Sequence, residues 1–286
     1  MFVKKVMKTL LPSNIVKMLS NINKGFSVYI GRVQLSFLVV SVGQACNFKC
    51  RDCANFAPIS PDSFRRYDVN DIKSDLAKLF ENIKYINLVQ IQGGEPFLYS
   101  DLIELLNFLQ ENKSKVHEIS IATNGSIIPQ EKVLECLKKN DVLVRISDYG
   151  ISEKSCSDLL GRLSEGGIRS YIYSFGSNQS LWFDCGNKNV KYEDDKRIVR
   201  KRYHSCVFKD CLTLERGELS YCSRSTNSYV IQGFTREYTD YFNLRDTRSK
   251  YRIKLAKYLV YRHPMQACCY CNGTDNDYLI PPAIQM

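Results

Sequence analysis

Three cysteines close together are the residues of this chain whose spacing most directly indicates chemistry. Cys46, Cys50 and Cys53 stand at the spacing CxxxCxxC in the segment VSVGQACNFKCRDCANFAP, residues 40–58. A structural zinc site needs four ligands, and a ferredoxin-type cluster is held by four cysteines. No fourth cysteine or histidine lies nearby in the sequence. The spacing therefore favours an iron–sulfur cluster with one iron left open for a small molecule.

The remaining cysteines are also clustered, which bears on the redox environment. Six of the twelve lie between residues 206 and 271, and three others are scattered. Secreted disulfide scaffolds are small and cysteine-dense throughout, so this clustering in 286 residues favours metal ligation in a reducing cytosol. The N-terminal stretch lacks the apolar run of a signal peptide because Lys8 and Pro12 interrupt it. We therefore expect a cytoplasmic protein.

Short apolar runs alternate with helical patterns from residue 34 to about residue 175. Apolar stripes at helical spacing predict helices, one capped at Asn70, one with Pro129 in its first turn and one stopped at Gly166-Gly167. Strands that alternate with helices predict an α/β fold with right-handed βαβ units and a parallel sheet, open or curled into a barrel. The runs with the length of buried strands are 35–41, 86–92, 117–122, 142–147 and 168–173.

Polar or glycine-rich segments follow four of these predicted strands. In such folds ligands bind beyond the carboxyl ends of the strands, so these segments should converge on one face. Paired glycines allow a close backbone approach to a ligand, and a glutamate accepts hydrogen bonds from an ammonium group. After the cysteine loop, the segments are Gly93-Gly94-Glu95-Pro96, Thr123-Asn124-Gly125 and Ser147-Asp148.

On the cysteine triplet and the GGEP motif, residues 34 to roughly 180 resemble the radical S-adenosylmethionine (radical SAM) superfamily. The resemblance implies a partial (β/α)6 barrel in which the triplet holds a [4Fe-4S] cluster and the open iron binds SAM. Reductive cleavage of SAM would then give a 5′-deoxyadenosyl radical that abstracts hydrogen. The resemblance also implies cofactor contacts: Gly93, Gly94, Glu95 and Pro96 at the SAM amino group, and Thr123, Asn124 and Ser147 at its ribose or carboxylate.

One position departs from the family pattern. Radical SAM proteins usually have an aromatic residue just before the third cysteine, where it packs on the adenine, and this chain has Asp52. We expect Phe48 or Phe56 to supply that surface instead.

The C-terminal cysteines resemble a shortened auxiliary-cluster region called twitch, a relative of the SPASM domain. The resemblance rests on Cys206, on a glycine four residues before Cys222, and on the pair Cys268 and Cys271. It implies a second [4Fe-4S] cluster held by these four cysteines, with Cys211 as a rival to Cys206. Four thiolates also suit zinc, which stays an alternative.

These motifs divide the chain into three parts. They are an N-terminal basic amphipathic segment at 1–33, the partial barrel at 34–200 and a small cysteine-rich auxiliary domain at 201–286.

The predicted function is a radical SAM oxidoreductase or epimerase acting on a sugar or related acidic small molecule. Arg145 and Asp148, at the end of the fourth strand, are candidates for substrate contact, and Cys185 is a candidate hydrogen donor. The alternatives are ribosomal peptide maturation, glycyl-radical enzyme activation, and a non-catalytic iron–sulfur or zinc protein.

The charge distribution constrains the partners. The formal net charge is +10, and residues 186–262 hold 18 Lys and Arg against 9 Asp and Glu. This excess could attract a phosphorylated substrate, although a solvated surface is the more common reason. No recognition motif for nucleic acid accompanies it. We expect an electron donor such as flavodoxin or ferredoxin, and either packing of residues 1–25 on the domain or peripheral membrane contact through them.

Overall fold

A computed structural model describes residues 13–30, 32–151, 153–174, 181–188, 190–246, 249–274 and 279–286. The helices are α1 (Ser13–Tyr29), α2 (Val69–Asn82), α3 (Leu102–Glu111), α4 (Glu131–Lys139), α5 (Glu153–Glu165), α6 (Lys196–Ser205), α7 (Ser225–Gln232), α8 (Tyr251–Val260) and α9 (Gln266–Cys269). The strands are β1 (Gln34–Ser41), β2 (Tyr85–Gln92), β3 (Val116–Thr123), β4 (Leu143–Asp148), β5 (Ser170–Ser174), β6 (Trp182–Phe183), β7 (Leu212–Glu215), β8 (Glu218–Tyr221), β9 (Tyr241–Asn243) and β10 (Leu279–Ile280).

Eight of the ten described strands form one sheet in the order β5-β4-β3-β2-β1-β7-β8-β9. Strands β1 to β5 are parallel, and β7 joins β1 on its other side, also parallel. Strands β8 and β9 continue the sheet antiparallel, whereas β6 and β10 pair separately. The predicted α/β class with a mostly parallel sheet is confirmed. This sheet contains strands from both sides of residue 200, where the sequence predicted a domain boundary. The division into domains stays a prediction.

The central strands are buried on both faces, which explains their continuous apolar composition. The predicted helical stripes form the other side of the core. The fully buried core residues with no exposed surface include Leu38, Leu76, Leu79, Ile86, Leu105, Leu106, Ile119, Val144 and Leu159.

Two predicted helix starts are wrong by one or two residues. The cap of α2 is Asp68, whose carboxylate accepts a hydrogen bond from the backbone N–H of Asn70 at 2.7 Å. A capping residue lies just outside the helix, and Asp68 has the extended backbone this requires. Helix α4 begins at Glu131, so Pro129 precedes its first turn. The predicted stop is confirmed, since α5 ends before Gly167, which has φ +65.

The N-terminal helix packs on the rest of the fold. Helix α1 contacts α8, while Ile22, Phe26 and Tyr29 stay exposed. Residues 1–12 of the predicted amphipathic segment lie outside the described residues. Among the described residues, no helix combines the length and apolar composition that a membrane crossing requires.

A buried carboxylate joins the C-terminal half of the sheet to its first strand. Glu215, at the end of β7, is 3% exposed. It accepts hydrogen bonds from Ser41 at 3.2 Å, from Gln44 at 3.0 Å and from the Tyr67 hydroxyl at 2.6 Å, and pairs with Arg216 at 3.4 Å. Burial, followed by the charge of Glu215, raises the pKa of Tyr67, so its hydroxyl stays a donor.

Replacing this carboxylate should therefore destabilise the fold. We expect Glu215→Ala to lower the free energy of unfolding by about 3–5 kcal/mol, because Arg216 and three other donors lose their buried acceptor. Denaturant unfolding measures the change. The exposed Glu135 on α4 provides a matched control, for which Glu135→Ala should stay within about 0.5 kcal/mol. Equal effects of the two substitutions would contradict the role assigned to Glu215.

Candidate active site

The carboxyl ends of β1 to β4 open onto a cavity of about 660 Å³. Its volume lies in the range of small-molecule and cofactor sites. The predicted convergence of the four loops on one face is therefore observed. The predicted site residues that line the cavity are Cys46, Cys50, Cys53, Gly93, Gly94, Thr123, Asn124, Arg145, Ser147 and Cys185.

The three thiols of the cysteine loop lie at the cavity wall, and N–H donors are directed at each of them. The backbone N–H of Phe48 donates to Cys46 Sγ at 3.4 Å. The side-chain amide of Gln285 donates to Cys50 Sγ at 3.4 Å. Burial raises the pKa of Cys46 to about 12 and also raises that of Cys50 and Cys53. Thiols of this kind are neutral until a metal replaces the proton, and hydrogen bonds to sulfur are a usual feature of iron–sulfur sites.

Gln285 belongs to a C-terminal segment that packs along this loop. The backbone N–H of Met286 donates to Lys49 O at 3.0 Å, and that of Arg51 donates to Ile284 O at 2.8 Å. The cysteine loop is thereby paired on one side with the last residues of the chain.

The two glycines of GGEP are required by a close approach to the cysteine loop. A Cβ on Gly93 would lie 2.2 Å from Gly43 O, and a Cβ on Gly94 would lie 2.2 Å from Ala45 O. The same contact carries backbone hydrogen bonds from Gly94 N to Gly43 O, at 2.9 Å, and from Glu95 N to Ala45 O, at 2.8 Å. The second loop thus fixes the position of the first.

The GGEP carboxylate points into the protein and not into the cavity. Glu95 is 2% exposed and accepts hydrogen bonds from Thr123 Oγ1 at 2.8 Å, Phe97 N at 3.0 Å and Asn124 N at 2.8 Å. Burial raises its pKa, against the effect of these donors. Pro96 begins a short 3-10 turn, Pro96–Leu98, and is buried. Neither Glu95 nor Pro96 lines the cavity among the described residues.

The polar residues after β3 and β4 line the cavity, but part of their hydrogen-bonding capacity is already used. Thr123 donates to Glu95 and accepts from Gly125 N at 3.1 Å. The Asn124 amide donates to Asn47 in the cysteine loop at 3.0 Å. Ser147 is buried and hydrogen-bonds Tyr149. Asn124 therefore ties the third loop to the first.

The two candidate substrate contacts on β4 behave differently. Arg145 lines the cavity, and its buried Nε has no hydrogen-bond partner among the described residues. Asp148 accepts a hydrogen bond from Gly150 N at 2.9 Å and does not line the described cavity. Arg145 therefore lies at the site, whereas Asp148 is hydrogen-bonded within the turn that follows β4.

An aromatic wall faces these polar residues, and sequence reasoning missed most of it. Tyr149 meets Trp182 edge to face, with ring centroids 5.3 Å apart. Phe183, Phe208 and Phe48 also line the cavity. The position of Tyr149, directly after Ser147-Asp148, is the sequence signal that could have predicted this aromatic wall. Burial raises the pKa of Tyr149 to about 12, so its hydroxyl stays protonated at neutral pH.

Of the two predicted adenine surfaces, only Phe48 reaches the cavity. Phe56 is 1% exposed, and the Arg224 guanidinium lies 4.2 Å from its ring centre. Phe56 is therefore unavailable for stacking on a ligand.

The C-terminal cysteines form a second set of thiols close to the cavity. Burial, followed by repulsion from Cys271, Cys206 and Cys268, raises the pKa of Cys222. The principal electrostatic neighbours of Cys211 are Asp210 and Cys206. The four predicted ligands thus lie near one another, and Cys211 is joined to the set because Cys222 N donates a hydrogen bond to Cys211 O at 2.7 Å.

Cys185 links this second set to the cavity. Its thiol donates a hydrogen bond to Cys271, which lowers the pKa of Cys271 and raises that of Cys185. Cys185 also lines the cavity. Among the described residues, no three His, Cys, Asp or Glu side chains converge as a site for a single metal ion. In an iron–sulfur cluster, each thiolate binds a different iron.

Comparison with known proteins identifies the domain that this cavity belongs to. Residues 40–170 match the family model of the Radical SAM superfamily. This segment is similar to radical SAM domains. A [4Fe-4S] cluster and SAM are the cofactors of this family. The match ends before the C-terminal cysteines, so the twitch-like region stays a prediction.

The curated proteins that resemble this chain have different named activities. A Methanocaldococcus jannaschii protein provisionally named a glycyl-radical enzyme activating enzyme is 27% identical over 171 residues, which cover 60% of this chain and 56% of the relative. The GTP 3′,8-cyclase of Haemophilus ducreyi is 31% identical over 171 residues, or 59% of this chain and 46% of the relative. The chain spans about half the length of these relatives.

One solved structure matches nearly the whole chain. The crystal structure of BtrN in complex with AdoMet and 2-DOIA has a TM-score of 0.51 and 16% identity, and covers 88% of this chain and 97% of BtrN. At this identity the likeness shows a shared fold.

The contact between the first two loops can be tested by adding one methyl group. We expect Gly94→Ala to lower the free energy of unfolding by about 1–3 kcal/mol, because the new Cβ meets a backbone carbonyl that is held by hydrogen bonds. Gly161 provides the control, since nothing lies within 4 Å of its added Cβ. Gly161→Ala in α5 should stabilise by up to about 1 kcal/mol. An unchanged unfolding free energy for Gly94→Ala would mean that the loops separate without cost.

Proposed function

We propose that the chain is a radical SAM enzyme with a second iron–sulfur cluster beside its SAM site. One observation carries this proposal: a single cavity is lined by the cysteine triplet, by Gly93 and Gly94, and by Cys185, which contacts the second set of thiols. Cys46, Cys50 and Cys53 would hold the first cluster. Cys206, Cys222, Cys268 and Cys271 would hold the second.

The residues around the cavity divide into those that bind SAM and those that position the binders. The backbone of Gly93 and Gly94 would approach the SAM amino group, and Thr123, Asn124 and Ser147 would approach its ribose or carboxylate. Glu95 and Pro96 act as positioning residues, since the Glu95 carboxylate already accepts hydrogen bonds from Thr123 and from two backbone N–H groups. Phe48 would provide the adenine surface.

For the second cluster, we favour Cys206 over Cys211 as the fourth ligand. Cys206 and Cys222 act on each other electrostatically, together with Cys271. Iron–sulfur is favoured over zinc because it places a redox centre next to a cavity where a radical reaction would occur.

The proposed substrate is a sugar or a related acidic small molecule, which the enzyme oxidises or epimerises. When bound, the cluster and SAM supply the radical that removes a hydrogen atom from the substrate. Arg145, with its unpartnered Nε at the cavity wall, would bind an anionic group of that substrate. The rings of Tyr149 and Trp182 offer apolar faces to a sugar. Asp148 would contact substrate only after leaving its turn with Gly150.

Cys185 is the proposed hydrogen donor for an epimerisation. A thiol at the cavity wall can give a hydrogen atom to a substrate radical, which leaves a sulfur-centred radical. One electron from an external donor such as flavodoxin or ferredoxin, together with one proton, restores the thiol. In an oxidation, the substrate instead loses a second electron and a proton, and Cys185 is not consumed.

Removing one set of cysteines at a time should show which set holds which cluster. We expect the reconstituted protein to bind about eight irons per chain and to cleave SAM reductively. The triple variant Cys46→Ala, Cys50→Ala, Cys53→Ala should keep about four irons and lose SAM cleavage. The double variant Cys268→Ala, Cys271→Ala should also keep about four irons but retain cleavage. Iron analysis and the yield of 5′-deoxyadenosine measure these outcomes.

A control variant separates ligand loss from general loss of a buried thiol. Cys136 is buried and hydrogen-bonded to Asn140, remote from both sets, so Cys136→Ala should keep both clusters. About four irons with bound zinc in the unmodified protein would remove the second iron–sulfur cluster. Absence of SAM cleavage would leave a non-catalytic iron–sulfur protein.

Deuterium transfer tests the substrate class. Uniformly deuterated nucleoside diphosphate sugars should transfer deuterium into 5′-deoxyadenosine, detected by mass spectrometry. Arg145→Gln should raise the KM for such a substrate at least about tenfold, because a charge-assisted hydrogen bond is lost. Transfer from a deuterated peptide or from a glycyl-radical enzyme, with none from the sugars, would favour peptide maturation or enzyme activation instead.

A further inference from the structure

Arg224 is a buried cation without a carboxylate partner among the described residues. It is 5% exposed, and neither its Nε nor its Nη2 has a hydrogen-bond partner there. Its guanidinium lies 4.2 Å from the ring centre of Phe56. By contrast, Arg216 is paired with Glu215 and Arg236 with Glu218.

A buried charge of this kind requires compensation. Removing an arginine from water costs several kcal/mol unless an anion and hydrogen bonds replace the solvent. The ring of Phe56 offers a cation–π contact, which recovers only part of that cost. The two unpartnered N–H groups therefore indicate that an anion belongs next to Arg224.

Arg224 joins segments of both cysteine sets. Phe56, beneath the guanidinium, donates its backbone N–H to Cys53 O at 2.9 Å, so this ring belongs to the first cysteine loop. Arg224 itself follows Cys222 of the second set by two residues. The backbone N–H of Ser225 donates to Cys222 O at 3.0 Å, so Arg224 lies within the turn that carries Cys222.

We propose that Arg224 is a shared counter-ion, a single buried positive charge that stabilises the negative charge of both iron–sulfur clusters. This inference rests on the proposed function, which supplies the two clusters. It assigns Arg224 a positioning and electrostatic role, since its side chain does not line the described cavity. When bound, the clusters would supply the negative charge that Arg224 lacks among the described residues.

The redox consequence follows from charge alone. One-electron reduction makes a cluster more negative by one unit, and a fixed cation nearby stabilises the reduced form more than the oxidised form. Reduction potentials of iron–sulfur clusters are set partly by net charge and by hydrogen bonds to sulfur. Arg224 should therefore raise the potential of both clusters.

The test is a redox titration of the anaerobically reconstituted full chain, monitored by electron paramagnetic resonance. Arg224→Met removes the charge and keeps an apolar side chain over Phe56, so both midpoint potentials should become more negative. Arg224→Lys keeps a positive charge and should shift them less. Variants that lack one cysteine set at a time assign each potential to its cluster.

Arg236 provides the matched control. It also stacks on aromatic rings, those of Tyr229 and Tyr241, but it is paired with Glu218. Arg236→Met should leave both potentials unchanged. A shift of one potential only, or equal shifts in the Arg236 and Arg224 variants, would overturn the shared role.

Failure of this inference can be told apart from failure of the proposed function. Iron content near eight per chain and SAM cleavage by the unmodified protein test the function, whereas the potentials of the variants test Arg224. If Arg224→Met does not retain its iron, Arg224→Gln takes its place, because glutamine keeps N–H donors without the charge. Its two potentials should move in the same negative direction, and unchanged potentials would overturn the inference.

Discussion

The arrangement of the site depends on one close backbone contact between the loops that follow β1 and β2. Gly94 and Glu95 donate their N–H groups to carbonyls of the cysteine loop, at a separation that no side chain on Gly94 would allow. The Glu95 carboxylate then accepts from Asn124 N in the loop after β3. Three loops are thereby connected by hydrogen bonds that do not involve a ligand. The cavity and the directions of its thiols are consequently fixed before any cofactor binds, which reduces the entropic cost of binding.

The second half of the chain reaches this cavity because it continues the same sheet. Strand β7 pairs with β1, and the buried Glu215 collects donors from β1, from the cysteine loop and from the loop after it. The C-terminal thiols are carried to the cavity by this pairing, and Cys185 makes contact with both. A cluster at the second set would therefore lie next to the substrate, which is the arrangement that an electron transfer to or from the substrate requires.

Three buried ionisable groups differ in whether their hydrogen-bonding atoms have partners, and this difference distinguishes structural residues from a residue that awaits a further group. Glu95 and Glu215 each accept several short hydrogen bonds, and their charges are used to hold loops and strands together. Arg224 has a stacking partner, but two of its nitrogen atoms have no acceptor among the described residues. Buried polar groups are normally hydrogen-bonded, so the exception marks a place where a further group belongs.

Local patterns in the sequence predicted the parallel strands β1 to β5, the helices between them and the loops that carry the site, because hydrophobic periodicity and glycine-rich turns are local signals. The sequence also placed Cys46, Gly93 and Arg145 at one face, since parallel strands present their carboxyl ends together. The folded structure was needed to find that Glu95 turns inward, that Tyr149 and Phe208 line the cavity, and that Asp148 stays outside it. The pairing of β7 with β1, the contact of Cys185 with Cys271 and the stacking of Arg224 on Phe56 were likewise settled by the fold. These features join residues far apart in the chain, and no local pattern specifies which distant segments meet.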